Sequence, residues 1–133
     1  MPLDAPVRAL LEAKNFVHVG TIKKDGSPSV VPVWADTDGE LITVNSAEHR
    51  AWPTHLERDP RVTVTVMNLE NPYEYAQIAG RVAERTQEGA NDVIDSLAKK
   101  YMGLDEYPFH QPGEQRVTIR IKPEKVFYSN PQG

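Results

Sequence analysis

Residues 46–62 read SAEHRAWPTHLERDPRV and join two predicted strands, Leu41–Asn45 and Val62–Met67. The segment leaves the first strand through a polar turn, enters a short helix and stops before Pro60. The turn carries hydroxyl, imidazole and guanidinium groups, the last from Arg50. Free backbone N–H groups and the positive end of the helix dipole meet at such a helix start, so the stretch predicts a phosphate-binding corner. An ordinary surface turn with solvated charges is the alternative that spacing alone leaves open.

Composition narrows the classes of function. The chain has 133 residues, of which 39% are hydrophobic and 26% charged, as is usual for one globular domain. No apolar stretch reaches the roughly 20 residues of a membrane span, and the N-terminus lacks the pattern of an export signal. We therefore expect a cytoplasmic protein with no membrane partner. A net charge of -4 argues against nucleic-acid binding.

Metal and covalent chemistry are not indicated either. The chain has no cysteine, which excludes disulfides, thiolate metal ligands and cysteine nucleophiles. Its four histidines are scattered without the spacing of a ligand set, so we predict no metal site. No constellation of catalytic side chains is recognisable, and we assign none.

The rest of the chain reads as short strands separated by tight turns. Two further helices are predicted, a short one over residues 4–14 and an amphipathic one from Ala90 to Tyr101 that Gly103 closes. Asp25-Gly26 predicts a hairpin turn, and Gly80 a bulge. The predicted strands are Phe16–Ile22, Ser29–Ala35, Glu40–Asn45, Val62–Met67, Tyr73–Glu84 and Val117–Tyr128.

These elements predict a mainly β fold with minor α. The first three strands are expected to form an antiparallel meander, and all six to form a nearly closed antiparallel barrel over residues 16–128. No linker divides the chain, so residues 1–133 are expected to form a single domain.

The order of these motifs resembles that of the pyridoxamine-phosphate-oxidase-like split-barrel flavoproteins. The resemblance covers residues 7–128. Among these flavoproteins, the short form of the chain resembles the deazaflavin-dependent oxidoreductases that use coenzyme F-420. Its motifs are Thr21-Ile22, Asp25-Gly26-Ser27-Pro28, Pro32-Val33-Trp34, Ser46 with Arg50, and Leu56 with Arg58-Asp59-Pro60-Arg61-Val62.

The resemblance implies a homodimeric six-stranded split β-barrel of Greek-key character, with two cofactor sites at the subunit interface. It assigns Arg50 to the cofactor phosphate, Asn45 and Ser46 to donors at the strand end, and the segment Pro32, Val33 and Trp34 to the wall behind the ring. His49, Trp52 and Tyr75 complete the predicted cofactor site. One departure stands out, because Trp52 occupies the place where the resemblance implies a lysine that binds the phosphate or the polyglutamate tail of the cofactor.

Several of these residues have a plainer interpretation. Arg50 could pair with Glu48 or Glu57, and Trp52 could be a core residue. Arg116 and Arg120 are expected to be solvated or ion-paired. The loop Leu104–Gly113 could be a lid over the substrate or a rigid connection.

The expected function is hydride transfer between a reduced deazaflavin and a small unsaturated or conjugated substrate. The proton that completes the reduction could come from solvent, Tyr75 or His49. FMN is the alternative cofactor, and cofactor binding without turnover is the alternative function.

Overall fold

A computed structural model describes residues 2–131. Its three helices are α1 (Ala5–Glu12), α2 (Ala51–Arg58) and α3 (Ala90–Met102). Its strands are β1 (Val17–Ile22), β2 (Pro28–Val33), β3 (Ala35–Thr37), β4 (Ile42–Ala47), β5 (Arg61–Asn68), β6 (Asn71–Thr86) and β7 (Arg116–Ser129). The mainly β prediction with minor α is confirmed. None of these helices is long and apolar enough to span a bilayer.

The strands form one antiparallel sheet of seven strands in the order β2-β1-β5-β6-β7-β4-β3. The order β4-β7-β6-β5 within it is a Greek key. The two edge strands, β2 and β3, are separated in sequence by Trp34 alone. The sheet therefore curls until its two edges approach each other at that residue.

The prediction of six strands was wrong, and so was the prediction of a three-stranded meander. Residues 29–35 read as one strand, but the structure divides them at Trp34. Before Trp34 the chain pairs with β1, and after it the chain pairs with β4. A single straight strand cannot follow both partners, because they lie on different parts of the curled sheet.

The local turn predictions were more successful. β1 and β2 form the expected hairpin, and Gly26 in its turn has φ +87°. The register between β6 and β7 shifts at Gly80, as a bulge requires. A Cβ atom at Gly80 would collide with the backbone carbonyl of Lys122, which explains why glycine is needed there.

The core fills the interior of the curled sheet. Alternate residues of β1, β4, β5, β6 and β7 point inward, and side chains of α1 and α2 pack against them. Helix α3 lies outside this core, where it packs on β4 and β7 and buries Ile94, Leu97 and Ala98. One face of α3 and the strands beneath it thus form a second layer, and this layer borders the candidate site.

Candidate functional site

A cleft of about 270 Å³ lies between α3, the Trp34 connector and the start of β7. Two other clefts are larger, at about 400 and 360 Å³, but no aromatic ring lines either of them. The first cleft combines aromatic and aliphatic walls with two guanidinium groups, so its surface is suited to a planar ligand with polar ends. Its lining residues are Phe16, Pro32, Val33, Trp34, Asn45, Arg50, Ile94, Leu97, Tyr107, Phe109 and Arg116.

The aromatic wall is built by stacking on Tyr101. The Trp34 ring lies parallel to the Tyr101 ring, with centroids 5.3 Å apart and an interplanar angle of 6°. Phe16 stacks on the same tyrosine at 5.7 Å, and Tyr107 meets Trp34 edge-on at 6.0 Å. These contacts fix the orientation of the Trp34 ring before any ligand arrives.

Hydrogen bonds hold Tyr101 in place behind this wall. Its hydroxyl donates to the carbonyl of Asn15 at 2.6 Å and accepts from the backbone N–H of Ala35 at 3.1 Å. Burial raises the pKa of Tyr101 to about 12. The neighbouring Lys100 donates from Nζ to the carbonyls of Leu11 and Ala35, at 2.7 and 2.6 Å. Burial lowers the pKa of Lys100. The last turn of α3 is therefore tied to the connector and to the end of α1.

Arg50 precedes α2 and presents an exposed guanidinium to the cleft. The plainer interpretation paired this arginine with Glu48 or Glu57, but Arg85 binds both acids instead. Nη2 of Arg85 lies 2.8 Å from Oε1 of Glu48 and 3.1 Å from Oε1 of Glu57. Nη1 of Arg85 also donates to the carbonyl of Pro53 at 2.6 Å.

Because those acids are occupied, the Arg50 guanidinium has no hydrogen bond or ion pair within residues 2–131. It is an uncompensated positive charge beside an aromatic cleft and near the start of a helix. The uncompensated guanidinium and the positive end of the helix dipole both favour an anion at that position.

Arg116 is the second cation of the cleft, and sequence reasoning did not identify it as a site residue. The expectation of a solvated or ion-paired arginine is met by an ion pair, and the residue is buried, with an exposure of only 5%. It is ion-paired, with Nη1 3.2 Å from Oε1 of Glu114. Its Nε donates to Oδ1 of Asn45 at 3.0 Å, and its Cζ lies 5.0 Å from the centroid of the Tyr107 ring.

A signal for Arg116 was present in the sequence, although it was indirect. Arg116 and Thr118 alternate with the core residues Val117 and Ile119, which placed them on the solvent side of a single sheet. The apolar face of the helix from Ala90 to Met102 needs a surface to cover, and this side of β7 is the surface it covers. Combining the two patterns would have predicted a buried Arg116.

Asn45 lines the cleft, but its side chain is fully engaged. Its Nδ2 donates to the carbonyl of Ala90 at 2.9 Å and to Oγ1 of Thr118 at 3.1 Å, and its Oδ1 accepts from Arg116. In this arrangement Asn45 joins α3 to β7 and holds the guanidinium of Arg116.

The structure brings five of the nine predicted cofactor residues onto the cleft, namely Pro32, Val33, Trp34, Asn45 and Arg50. The other four do not line it. Ser46 points to the opposite face of β4 from Asn45, and its buried Oγ has no partner within the described part of the chain. Trp52 packs in the core, His49 is exposed in the turn, and Tyr75 is on the outer face of β6.

The loop between α3 and β7 closes one side of the cleft. Its Tyr107 and Phe109 side chains line the wall, and the backbone N–H of Tyr107 donates to Oδ1 of Asp95 on α3 at 2.9 Å. His110 lies between two carboxylates, with Nε2 3.8 Å from Asp95 and Nδ1 3.4 Å from Glu114. The loop is thus attached to α3 and to the ion pair that contains Arg116.

These residues fit a planar ligand with an anionic end. The rings of Trp34 and Tyr107 offer flat apolar surfaces, and Arg50 offers a free cation. Within residues 2–131, no group of three or more histidine, aspartate or glutamate side chains could hold a metal ion. The arrangement suits a cofactor bound by ring contacts and by charge.

Comparisons with known proteins agree with this fold. The family model described as pyridoxamine 5'-phosphate oxidase matches residues 3–130. A solved structure named F420 reductase is 24% identical, covers 94% of this chain and 98% of its own, and superposes with a TM-score of 0.82. A conserved hypothetical protein from Mycobacterium tuberculosis is 21% identical, with a TM-score of 0.73 over 99% of this chain and 87% of its own.

General stress protein 26 from Bacillus anthracis is 17% identical, with a TM-score of 0.70 over 96% of this chain and 93% of its own. At these identities the structural matches show a shared fold. The family match covers nearly the whole chain and confirms the resemblance seen in the sequence. The chain belongs to the pyridoxamine 5'-phosphate oxidase family.

Proposed function

We propose that this protein is an oxidoreductase that binds coenzyme F-420 in the aromatic cleft and reduces a small unsaturated or conjugated substrate. The observation that carries the proposal is the free Arg50 guanidinium beside a preformed aromatic wall. The similarity to a structure named F420 reductase supports the choice of a deazaflavin.

Each group of side chains has a separate part in this proposal. The bound deazaflavin supplies the hydride, and the protein supplies binding, orientation and exclusion of water. Arg50 binds the phosphoryl end of the cofactor through charge-assisted hydrogen bonds. Trp34, with Pro32 and Val33, supports one face of the ring, and Leu97 and Phe109 keep water from the reacting region.

FMN is the second candidate, and Trp52 is the observation that favours it. The family resemblance implies a lysine at that place, whereas Trp52 is buried in the core and cannot bind an anion in the cleft. Arg50 is then the uncompensated cation of the corner, which suits a single phosphate better than a longer anionic tail.

We also propose that two copies of the chain form a homodimer. The outer face of the sheet carries exposed apolar side chains, including Val30, Met67, Tyr75 and Phe127. A second copy that covered this face would remove them from water.

Cofactor titration tests the proposal directly. Purified protein free of cofactor is titrated with coenzyme F-420 and, separately, with FMN, and ligand fluorescence is followed. Saturable quenching of F-420 without comparable FMN binding is expected. Tight binding of FMN alone would contradict the F-420 proposal and indicate a flavin-dependent oxidoreductase.

Turnover is then measured with the cofactor that binds. Reduced cofactor is mixed with protein and a panel of enones and quinones, and its reoxidation is recorded without oxygen. Reoxidation that depends on both protein and substrate is expected. Binding without reoxidation across the panel would indicate a cofactor-binding protein without turnover.

A further inference from the structure

We infer that Arg116 donates a hydrogen bond to an uncharged carbonyl oxygen on the ring of the bound cofactor, and that Glu114 prevents this guanidinium from binding an anion. The inference rests on the proposed function, because it concerns the same cleft. It assigns different ligand groups to the two arginines that line the cleft.

The guanidinium of Arg116 is held in a fixed orientation. Nε is held by Oδ1 of Asn45 at 3.0 Å, and Nη1 by Oε1 of Glu114 at 3.2 Å. The guanidinium also lies against the Tyr107 ring. Asn45 cannot rotate freely, since its Nδ2 holds Ala90 and Thr118. Arg116 is therefore preorganised as a donor, whereas an exposed arginine has to be ordered on binding.

Nη2 of Arg116 remains free to donate a hydrogen bond to a ligand. No hydrogen bond joins Nη2 of Arg116 to any of residues 2–131, although the side chain is only 3% exposed. The residue lines the cleft, so its free N–H groups are available to a ligand there. Nη2 is not one of the buried atoms that lack a partner, so it reaches the accessible space of the cleft, where a ligand oxygen can accept its hydrogen bond in place of water.

The positive charge of Arg116 is already compensated by the Glu114 carboxylate. The Glu114 side chain is also 3% exposed, so the ion pair is shielded from water on both sides. An anionic group placed on Arg116 would lie close to this buried carboxylate with little screening. Arg50 has no such neighbour, because Arg85 binds Glu48 and Glu57. An anion is therefore favoured at Arg50 and an uncharged acceptor at Arg116.

The isoalloxazine ring of FMN and its deazaflavin counterpart both carry carbonyl oxygens as well as an anionic side chain. Riboflavin and FMN differ only in the phosphate, and F-420 has a matching phosphate-free deazariboflavin core. Comparing the two members of a pair separates ring recognition from anion recognition in one measurement.

The first variant is the double substitution E114Q/R116Q, which removes both buried charges together and avoids leaving Glu114 unpaired. We expect both members of each pair to bind about 10- to 100-fold more weakly, with their affinity ratio unchanged. Selective loss of the phosphorylated member would overturn the inference by making Arg116 an anion ligand. Unchanged affinity for both members would make it a structural residue.

The second variant, Glu114→Gln, keeps a hydrogen-bond acceptor beside Arg116 but removes the opposing charge. Inorganic phosphate is expected to compete with riboflavin or deazariboflavin in this variant and to raise the apparent Kd about tenfold. The matched control is Glu84→Gln. Glu84, on β6, pairs at 2.8 Å with Arg120, which lies on the same strand as Arg116 but outside the cleft. Wild type and this control should show no competition. Competition in wild type would contradict the role of Glu114.

Failure of the proposed function is distinguishable from failure of this inference. If wild-type protein binds none of the four ring compounds, the proposed function is wrong. Phosphorus NMR titration with inorganic phosphate, carried out in proteins that also carry Arg50→Gln, then tests the pair alone, and the E114Q protein should bind phosphate about tenfold more tightly than the protein with Glu114 intact or with E84Q. No gain in that titration would overturn the inference. Thermal melting of each variant establishes that it is folded. If the double variant is not folded, the phosphate measurements on E114Q alone test the inference.

Discussion

At the scale of single residues, two arginines line one cleft and differ in their surroundings. Arg50 is exposed and unpaired within residues 2–131, and Arg116 is buried against Glu114. In the sequence both are simply arginines near a strand end. Their difference arises because Arg85 on β6 binds the acids near Arg50, whereas Arg116 pairs with Glu114 two residues away and is held by Asn45 of β4.

The role of Arg50 is tested by Arg50→Gln. Loss of a charge-assisted hydrogen bond to phosphate should weaken binding of the phosphorylated cofactor by about 1.5–3 kcal/mol. Isothermal titration of wild type and variant measures this difference. Arg81→Gln is the control, since Arg81 is an arginine that pairs with Glu124 at 3.4 Å away from the cleft. Equal affinities for wild type and R50Q would refute the assignment.

The buried hydroxyl behind the aromatic wall is tested by Tyr101→Phe. The variant leaves the backbone N–H of Ala35 and the carbonyl of Asn15 without their partner, so a loss of about 1–3 kcal/mol in the free energy of unfolding is expected. Urea denaturation near neutral pH measures it. A loss below about 0.5 kcal/mol would show that the hydroxyl contributes little.

The same variant carries a pH signature. The folded protein keeps the Tyr101 proton until its pKa of about 12, whereas an unfolded tyrosine ionises at about pH 10. The stabilisation is therefore complete below pH ~10 and decreases as the pH rises towards 12. The difference in unfolding free energy between wild type and Y101F should shrink over that range. A constant difference would contradict the raised pKa.

At the scale of elements, the bulge between β6 and β7 depends on Gly80. An added Cβ would overlap the carbonyl oxygen of Lys122, which cannot move without disturbing the sheet. Gly80→Ala should lose about 1–3 kcal/mol in the free energy of unfolding, measured by chemical denaturation. Gly20→Ala is a control within the sheet, because its Cβ would find its nearest neighbour, the Thr63 carbonyl, at 3.5 Å. A similar loss in both variants would exclude this explanation.

Elements with a strong local signal were predicted well. The helix Ala90–Met102 and its closing Gly103, in the left-handed conformation with φ 72°, follow from spacing and from a glycine that tolerates positive φ. The break at Trp34 has no local signal, since residues 29–35 contain no glycine, asparagine or aspartate that would mark a turn. Only the pairing of β2 with β1 and of β3 with β4 divides them.

At the scale of the whole molecule, the outer face of the sheet is tested by Met67→Glu. If this face joins two copies, a buried charge there should shift the protein from dimer to monomer. Sedimentation velocity measures the mass in solution, and wild type is expected at twice the mass of the chain. Met102→Glu is the control, since Met102 is similarly exposed, at 42% against 40%, but lies at the end of α3. A monomeric wild type would remove the proposed dimer.

The sequence by itself determined the mainly β fold, the turns and the arginine that precedes α2, because each depends on residues close together in the chain, and the order of its motifs indicated the family. Tertiary structure alone decided the seventh strand and the freedom of Arg50, and it brought about the burial of Arg116, which the sequence indicated only indirectly. Those properties depend on which distant groups come into contact when the sheet curls and α3 covers it. The freedom of Arg50, for example, exists because Arg85 of β6 binds Glu48 and Glu57, a contact between parts of the chain that are far apart in sequence.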